Sequence, residues 1–257
     1  MRVLGFIPAR SGSKGVPDKN IKTICNVPLL IYSVWVAQQS QSFADIIVST
    51  DSEAYLSLGA SLGIRTDYLR PRELALDTSQ TIDAVLDVLK WYRSKGAEFD
   101  AVMILQPTAP FRRPEHINKA IQLMQAHPDA SCVTGVVRLG DTHPARIKKL
   151  VDGKWLEDFC CVHEPEHSRR QDLQPPAFLR NGTIYLTKTT TIENERLIRG
   201  KKIIGMEMPE ANSVNVDNHL DFLVAEASLG YPAFKDDLSF LGELLSKYKA
   251  PLKTSHL

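Results

Sequence analysis

The sequence predicts an α/β chain built on a doubly wound, mostly parallel sheet, and three observations carry that prediction. Residues 2–8 and the stretch "AVMILQP" at 101–107 are near-continuous apolar runs, the pattern of strands buried on both faces. Between such runs lie stretches whose apolar residues recur at helical spacing. The first strand, its loop, a helix and the β-branched run "DIIVSTD" at 45–51 all fit within about fifty residues, the span of a βαβ unit.

The elements follow in order. "PLLIYSVWVAQQS" at 28–40 places Leu29, Leu30, Ser33 and Val36/Ala37 along one helical face. Helices are expected near 52–62, from Ile82 to Lys95 and over 115–127, with strands at 101–107 and 131–138. From 140 to about 180 the texture changes: His, Pro, Arg and Lys are frequent and periodicity weakens, as in an inserted arm or lid. Strands resume at 182–187 and 202–209, a helix covers 219–229, and a further helix is expected at 236–248. The predicted organisation is one domain over 1–232, carrying the arm at about 140–180, and a C-terminal helical extension over 233–257.

Composition narrows the possibilities. A chain of 257 residues with 43% apolar and 24% charged residues can bury a sizeable core. A formal net charge of +1 gives no general attraction to nucleic acid or to an anionic membrane, so anion handling must come from locally placed cations. "VLGFI" at 3–7 is too short for a signal-peptide core and no stretch reaches the length of a membrane span, so a cytoplasmic protein is expected. Cys25, Cys132, Cys160 and Cys161 show no metal or redox spacing and read as ordinary thiols.

The chemistry is concentrated in "PARSGSKGVPDKN" at 8–20, the loop that leaves the first strand. In open α/β sheets, such loops face the ligand crevice at the carboxyl ends of the strands. Gly12 and Gly15 let backbone approach a ligand, successive amides can form an anion nest, and Arg10, Lys14 and Lys19 add charge. The spacing matches neither G-x-G-x-x-G nor G-x-x-x-x-G-K-[ST], so the loop is a phosphate binder of another kind, or else a solvated turn.

Several segments taken together resemble one family. "IPARSGSKGVPDKNI" at 7–21, "VSTDSE" at 48–53, "LRPRELALDTSQTID" at 69–83, "LQPTAPFR" at 105–112, "RRQDL" at 169–173, "RNGTIY" at 180–185 and "SVNVDNHLDF" at 213–222 are similar, in order, to the acylneuraminate cytidylyltransferases, the CMP-sialic acid synthetases and their relatives acting on legionaminic or pseudaminic acid. The resemblance implies a Rossmann-like nucleotidyltransferase that joins CTP to a nine-carbon 2-keto sugar acid with Mg²⁺ (or Mn²⁺), working as a homodimer through the inserted arm. It implies that Arg10, Ser11, Gly12, Lys14 and Lys19 hold the triphosphate and that Asn20 shapes the nucleotide pocket. Arg70, with Asp77, Ser79 and Thr81, would line the cytidine side, although "DTSQT" alone also reads as a helix cap.

On the acceptor side, Gln106 can hydrogen-bond a sugar hydroxyl or amide and Arg112 can meet a carboxylate with its fork of donors. The resemblance adds Arg170, Gln171, Arg180 and Asn181 from the arm; the arginine of "LRNG" is displaced by one from the family's usual place. Asp217 is the metal candidate, and Asn215 stands where the family commonly has a second aspartate; the site would work with one carboxylate, draw on substrate phosphates, or be weakened. Arg10, Lys19 and Asp217 would carry the catalytic charge stabilisation. His143, His163 and His167 lack zinc-site spacing. Two rivals remain open: transfer to the eight-carbon acid KDO, and a nucleotide-sugar binder with weak or no chemistry.

Overall fold

The computed structural model describes residues 1–13, 15–160, 164–166 and 168–249. In chain order the elements are β1 (Val3–Pro8), β2 (Thr23–Ile24), β3 (Val27–Pro28), α1 (Leu29–Ser40), β4 (Asp45–Ser49), α2 (Glu53–Ala60), α3 (Thr81–Ser94), β5 (Ala101–Ile104), α4 (Pro114–Ala126), β6 (Cys132–Arg138), β7 (Lys148–Val151), β8 (Trp155–Asp158), β9 (Phe178–Lys188), α5 (Thr189–Glu195), β10 (Ile203–Glu207), α6 (His219–Gly230), α7 (Lys235–Leu238) and α8 (Gly242–Lys247). Short 3₁₀ turns link several of them.

The main sheet has six strands in the order β10-β6-β9-β5-β1-β4. β1 runs parallel to β4 and β5, and β10 runs parallel to β6. β9 is inserted antiparallel between β5 and β6. The predicted mostly parallel doubly wound sheet is thus borne out, with one antiparallel strand that periodicity did not distinguish. The chain leaves β1 toward β4 and later leaves β5 toward β6, so the crevice between the carboxyl ends of β1 and β5 is the topological switch point.

Helices cover both faces. α1 is buried nearly all round, which is why its apolar residues do not form a clean stripe. It packs beside α4 in one core cluster with Ile117, Ala120 and Met124. α3 is amphipathic and lays Ile82, Val85, Val88, Leu89 and Tyr92 on the opposite face of the sheet, in a second cluster with Leu4, Phe6, Val102 and Ile104. α4 starts at Pro114, where the missing N–H costs nothing, and His116 Nδ1 accepts from the Arg113 N–H at 3.2 Å.

Three expectations are corrected. Arg180 and Asn181 belong to β9 itself, a strand longer than 182–187, and not to an irregular arm. The arm is not featureless: β7 and β8 pair as an antiparallel hairpin. The helix expected at 236–248 is broken into α7, a 3₁₀ turn and α8, with Leu238, Leu241, Leu244 and Leu245 all buried in the core.

Candidate active site

The loop after β1 lies in the predicted crevice, tied down by the Ala9 N–H donating to Ser49 O at 2.9 Å. Ser11 is held by Asp51 at the end of β4: its N–H and hydroxyl donate to the two carboxylate oxygens at 2.8 and 2.6 Å. Partial burial alone would raise the Asp51 carboxyl, but these two bonds, with the Arg70 charge nearby, hold it below its ordinary value. Asn20 is buried and its amide donates to Arg10 O at 3.0 Å, so it shapes the loop. Arg10 extends across to Asp77 at 2.8 Å.

Arg70 forms the floor. It is buried, its side chain donates to Ser49 Oγ at 2.9 Å and Ser49 O at 2.6 Å, and burial pushes its guanidinium below the ordinary value. With Arg10, Lys19, Asn20, Ser79 and Thr81 it lines a cavity of about 340 Å³. The Ser79 hydroxyl is itself spent on Glu73 O at 2.8 Å.

A second cavity of about 780 Å³ lies on the arm side and includes Asn215, Gln171, His143 and Asp221. A trio links the two linings, with Lys19 in the first and Asn215 in the second. Lys19 Nζ donates to Asp217 Oδ1 at 3.0 Å, and the Asn215 amide donates to Asp217 Oδ2. The Asp217 and Asn218 N–H groups both donate to Asp221, at 2.7 and 2.9 Å, so Asp221 caps α6 and fixes the backbone that presents Asp217. A Cβ on Gly15 would stand 3.3 Å from Asp217 O, so the loop after β1 touches this segment directly.

Gln106 follows β5, and both its side chain and that of Asn215 lie close to Gly182: a Cβ on Gly182, whose φ is +74°, would come within 3.1 Å of Gln106 Oε1 and 3.5 Å of Asn215 Oδ1. Two acceptor-side expectations are corrected. Arg112 has no exposed surface; its donors go to Thr183 O, Ser33 Oγ and Gln106 O, so it meets no substrate carboxylate. Asn181 is buried, with its amide donating to Ser213 Oγ at 2.9 Å and its oxygen accepting from the Thr183 N–H and hydroxyl. Arg180 points to a neighbouring cavity with Ser79, Gln80 and Thr81. Gln171 is exposed beside the second cavity. Lys14, the side chain of Arg170, His163 and His167 lie outside the described residues. His143 uses both ring nitrogens on Pro175 O and the Ala145 N–H.

Sequence reasoning missed Asp51 and Ser49 as partners of the loop and of Arg70. "VSTDSE" was legible as a strand end, but which of its hydroxyls and carboxylates would turn inward was not.

Residues 4–199 match the cytidylyltransferase family. The chain belongs to that family. It is 31% identical over 225 residues to the N-acylneuraminate cytidylyltransferase of Escherichia coli, covering 87% of this chain and 51% of that protein. It is 30% identical over 233 residues to the CMP-N,N'-diacetyllegionaminic acid synthase of Legionella pneumophila, covering 88% of this chain and 95% of that one. This cytidylyltransferase therefore spans about half the length of the first relative and nearly all of the second. The resemblance read from its motifs is borne out. A solved structure of CMP:2-keto-3-deoxy-manno-octonic acid synthetase complexed with CTP shares its fold, with a TM-score of 0.63 at 18% identity, over 88% of this chain and 98% of that one. Among the described residues, no helix is long and apolar enough to cross a membrane.

Proposed function

We propose that this cytidylyltransferase transfers CMP from CTP to the anomeric hydroxyl of a nine-carbon 2-keto sugar acid, of the sialic or legionaminic type. The sugar oxygen attacks the α-phosphorus and loses its proton, the bond to the β-phosphate oxygen breaks, and pyrophosphate leaves. One observation carries the reading: hydrogen bonds through Asp217 join Lys19, in the lining of a polar, cation-bearing cavity, to Asn215, in the lining of a larger one, an arrangement suited to two ligands that react with each other.

The roles follow from chemistry. Arg10, Ser11 and Lys19 would bind the triphosphate, with the Gly12 and Lys14 region of the loop completing the cradle. Arg10 and Lys19 are now paired with Asp77 and Asp217, so on binding phosphate each cation would exchange one anionic partner for another. Arg70, Ser79 and Thr81 would line the base side, and Gln106 and Gln171 the acceptor side. Lys19 offsets the charge that grows on the phosphate oxygens, the dominant requirement of such a transfer.

Asp217 and Asn215 would hold Mg²⁺ or Mn²⁺. One carboxylate and one amide oxygen two residues apart, with the Asp217 side chain 63% exposed, suit an ion that keeps few protein ligands and completes its shell with phosphate oxygens and water. Such an ion supplies charge neutralisation on the phosphates when bound. A reaction that consumes CTP fits the expected cytoplasmic protein. The apolar hairpin fits a homodimer: Leu150 and Leu156, paired across β7 and β8, are 61% and 71% exposed.

Pyrophosphate release is the test, with CTP, ATP, GTP and UTP each offered with a panel of nine-carbon acids and KDO. Turnover confined to CTP and a nine-carbon acid is expected, and Lys19→Ala and Asp217→Ala should each lower kcat/KM by about 10²-fold or more. Turnover with KDO alone would move the reading to the eight-carbon acid. CTP binding with no release for any acid would make the protein a binder.

A further inference from the structure

Arg112 is the largest fully buried side chain among the described residues. Its guanidinium donates from Nε to Thr183 O at 2.8 Å, from Nη1 to Ser33 Oγ at 2.8 Å and from Nη2 to Gln106 O at 2.5 Å. All three acceptors are neutral, and among the described residues no carboxylate forms an ion pair with it. Burial alone pushes its pKa down to about 9, still protonated at neutral pH. A packed apolar side chain would avoid the cost of burying that charge, so the guanidinium is not explained by packing.

Its acceptors show what it does. Gln106 belongs to the loop after β5, Thr183 follows Gly182 where β9 departs from regular pairing with β6, and Ser33 lies on α1 and donates its own hydroxyl to Gln106 O at 3.3 Å. Three elements from different parts of the chain are therefore joined through one planar group. The junction holds the backbone of Gln106, whose side-chain oxygen would stand 3.1 Å from a Cβ on Gly182. A lysine could not reproduce it, since one ammonium cannot span three acceptors in a fixed plane.

We propose that Arg112 is a positioning residue for the acceptor sugar acid: it clamps the Gln106 backbone to β9 and so fixes the Gln106 side-chain amide at the acceptor side of the crevice. The inference rests on the acceptor reading of Gln106 given above. Arg112 touches no substrate, and its effect passes entirely through Gln106.

A double-mutant cycle of Arg112→Lys and Gln106→Ala, read as separate KM values for the sugar acid and for CTP, tests it. Each single variant should raise the acid KM about tenfold with the CTP KM within about twofold, and the double variant should be no worse than the weaker single. Multiplying effects, an unchanged acid KM in Arg112→Lys, or an equal rise in both KM values would overturn the proposal. If Arg112→Lys does not fold, Ser33→Ala replaces it, removing one acceptor while keeping Arg112; its expected rise is about threefold, again lost in the Gln106→Ala background, and its absence overturns the proposal equally. An unchanged acid KM in Gln106→Ala itself would remove the acceptor reading and this inference together, whereas a raised one with a silent Arg112→Lys removes the inference alone.

Discussion

His116 shows how a single side chain can set a pH limit without touching the site. Burial, and then the charge of Arg113, push its imidazole down from 6.5 to about 4, and its Nδ1 is occupied by the Arg113 N–H. Between those values the unfolded chain takes up a proton that the folded chain refuses, so stability falls as pH drops through that window and is unaffected above it. His116→Asn keeps an acceptor at the helix start and removes the titration. Urea unfolding at pH 7 and pH 5 should show the variant losing about 1 to 2 kcal/mol less than the parent on acidification. An equal loss in both proteins would place the acid sensitivity elsewhere.

At the scale of elements, β9 is the most consequential strand. It runs antiparallel between β5 and β6, and its pairing with β6 shifts between Thr134 and Val136, the kind of irregularity that re-aims side chains beside functional sites. Gly135 makes the shift possible, because a Cβ there would stand 2.5 Å from Thr183 Oγ1. The kink turns Asn181 inward, to Ser213, and brings Gly182 against Gln106. The β7–β8 hairpin has a different economy: its turns and charges are satisfied locally, with Lys148 and Lys149 paired to Asp158 and Glu157, while its apolar face is left to solvent. In the proposed homodimer, Leu150→Glu with Leu156→Glu should convert dimer to monomers in light scattering while leaving the thermal midpoint within a few degrees, and a monomeric parent would remove the homodimer reading. Persistence of the dimer would take the interface away from the hairpin.

At the scale of the whole molecule, the C-terminal segment is part of the core that supports the site. Leu241 and Leu244 have no exposed surface, and the Phe240 ring stacks on Trp35 of α1 at 6.1 Å. α1 in turn carries Ser33, which meets Arg112. Leu244→Ala should therefore cost about 2 to 5 kcal/mol in denaturant unfolding, with little change in the KM values of the folded fraction. A loss below about 1 kcal/mol would show that the segment only rests on the surface. The sequence by itself determined the α/β class, the order of the main helices and strands, the place of the cationic loop after the first strand, and the family, because these rest on local periodicity and on short motifs whose residues act near one another in the chain. Only the tertiary structure decided that β9 is antiparallel, that Arg112 and Asn181 turn inward, that Asp51 holds Ser11 and that Lys19 meets Asp217. Each of these depends on which of several possible partners, 40 to 198 residues away for Ser11 and Lys19, the packed sheet brings within hydrogen-bond reach, and no local pattern encodes that choice.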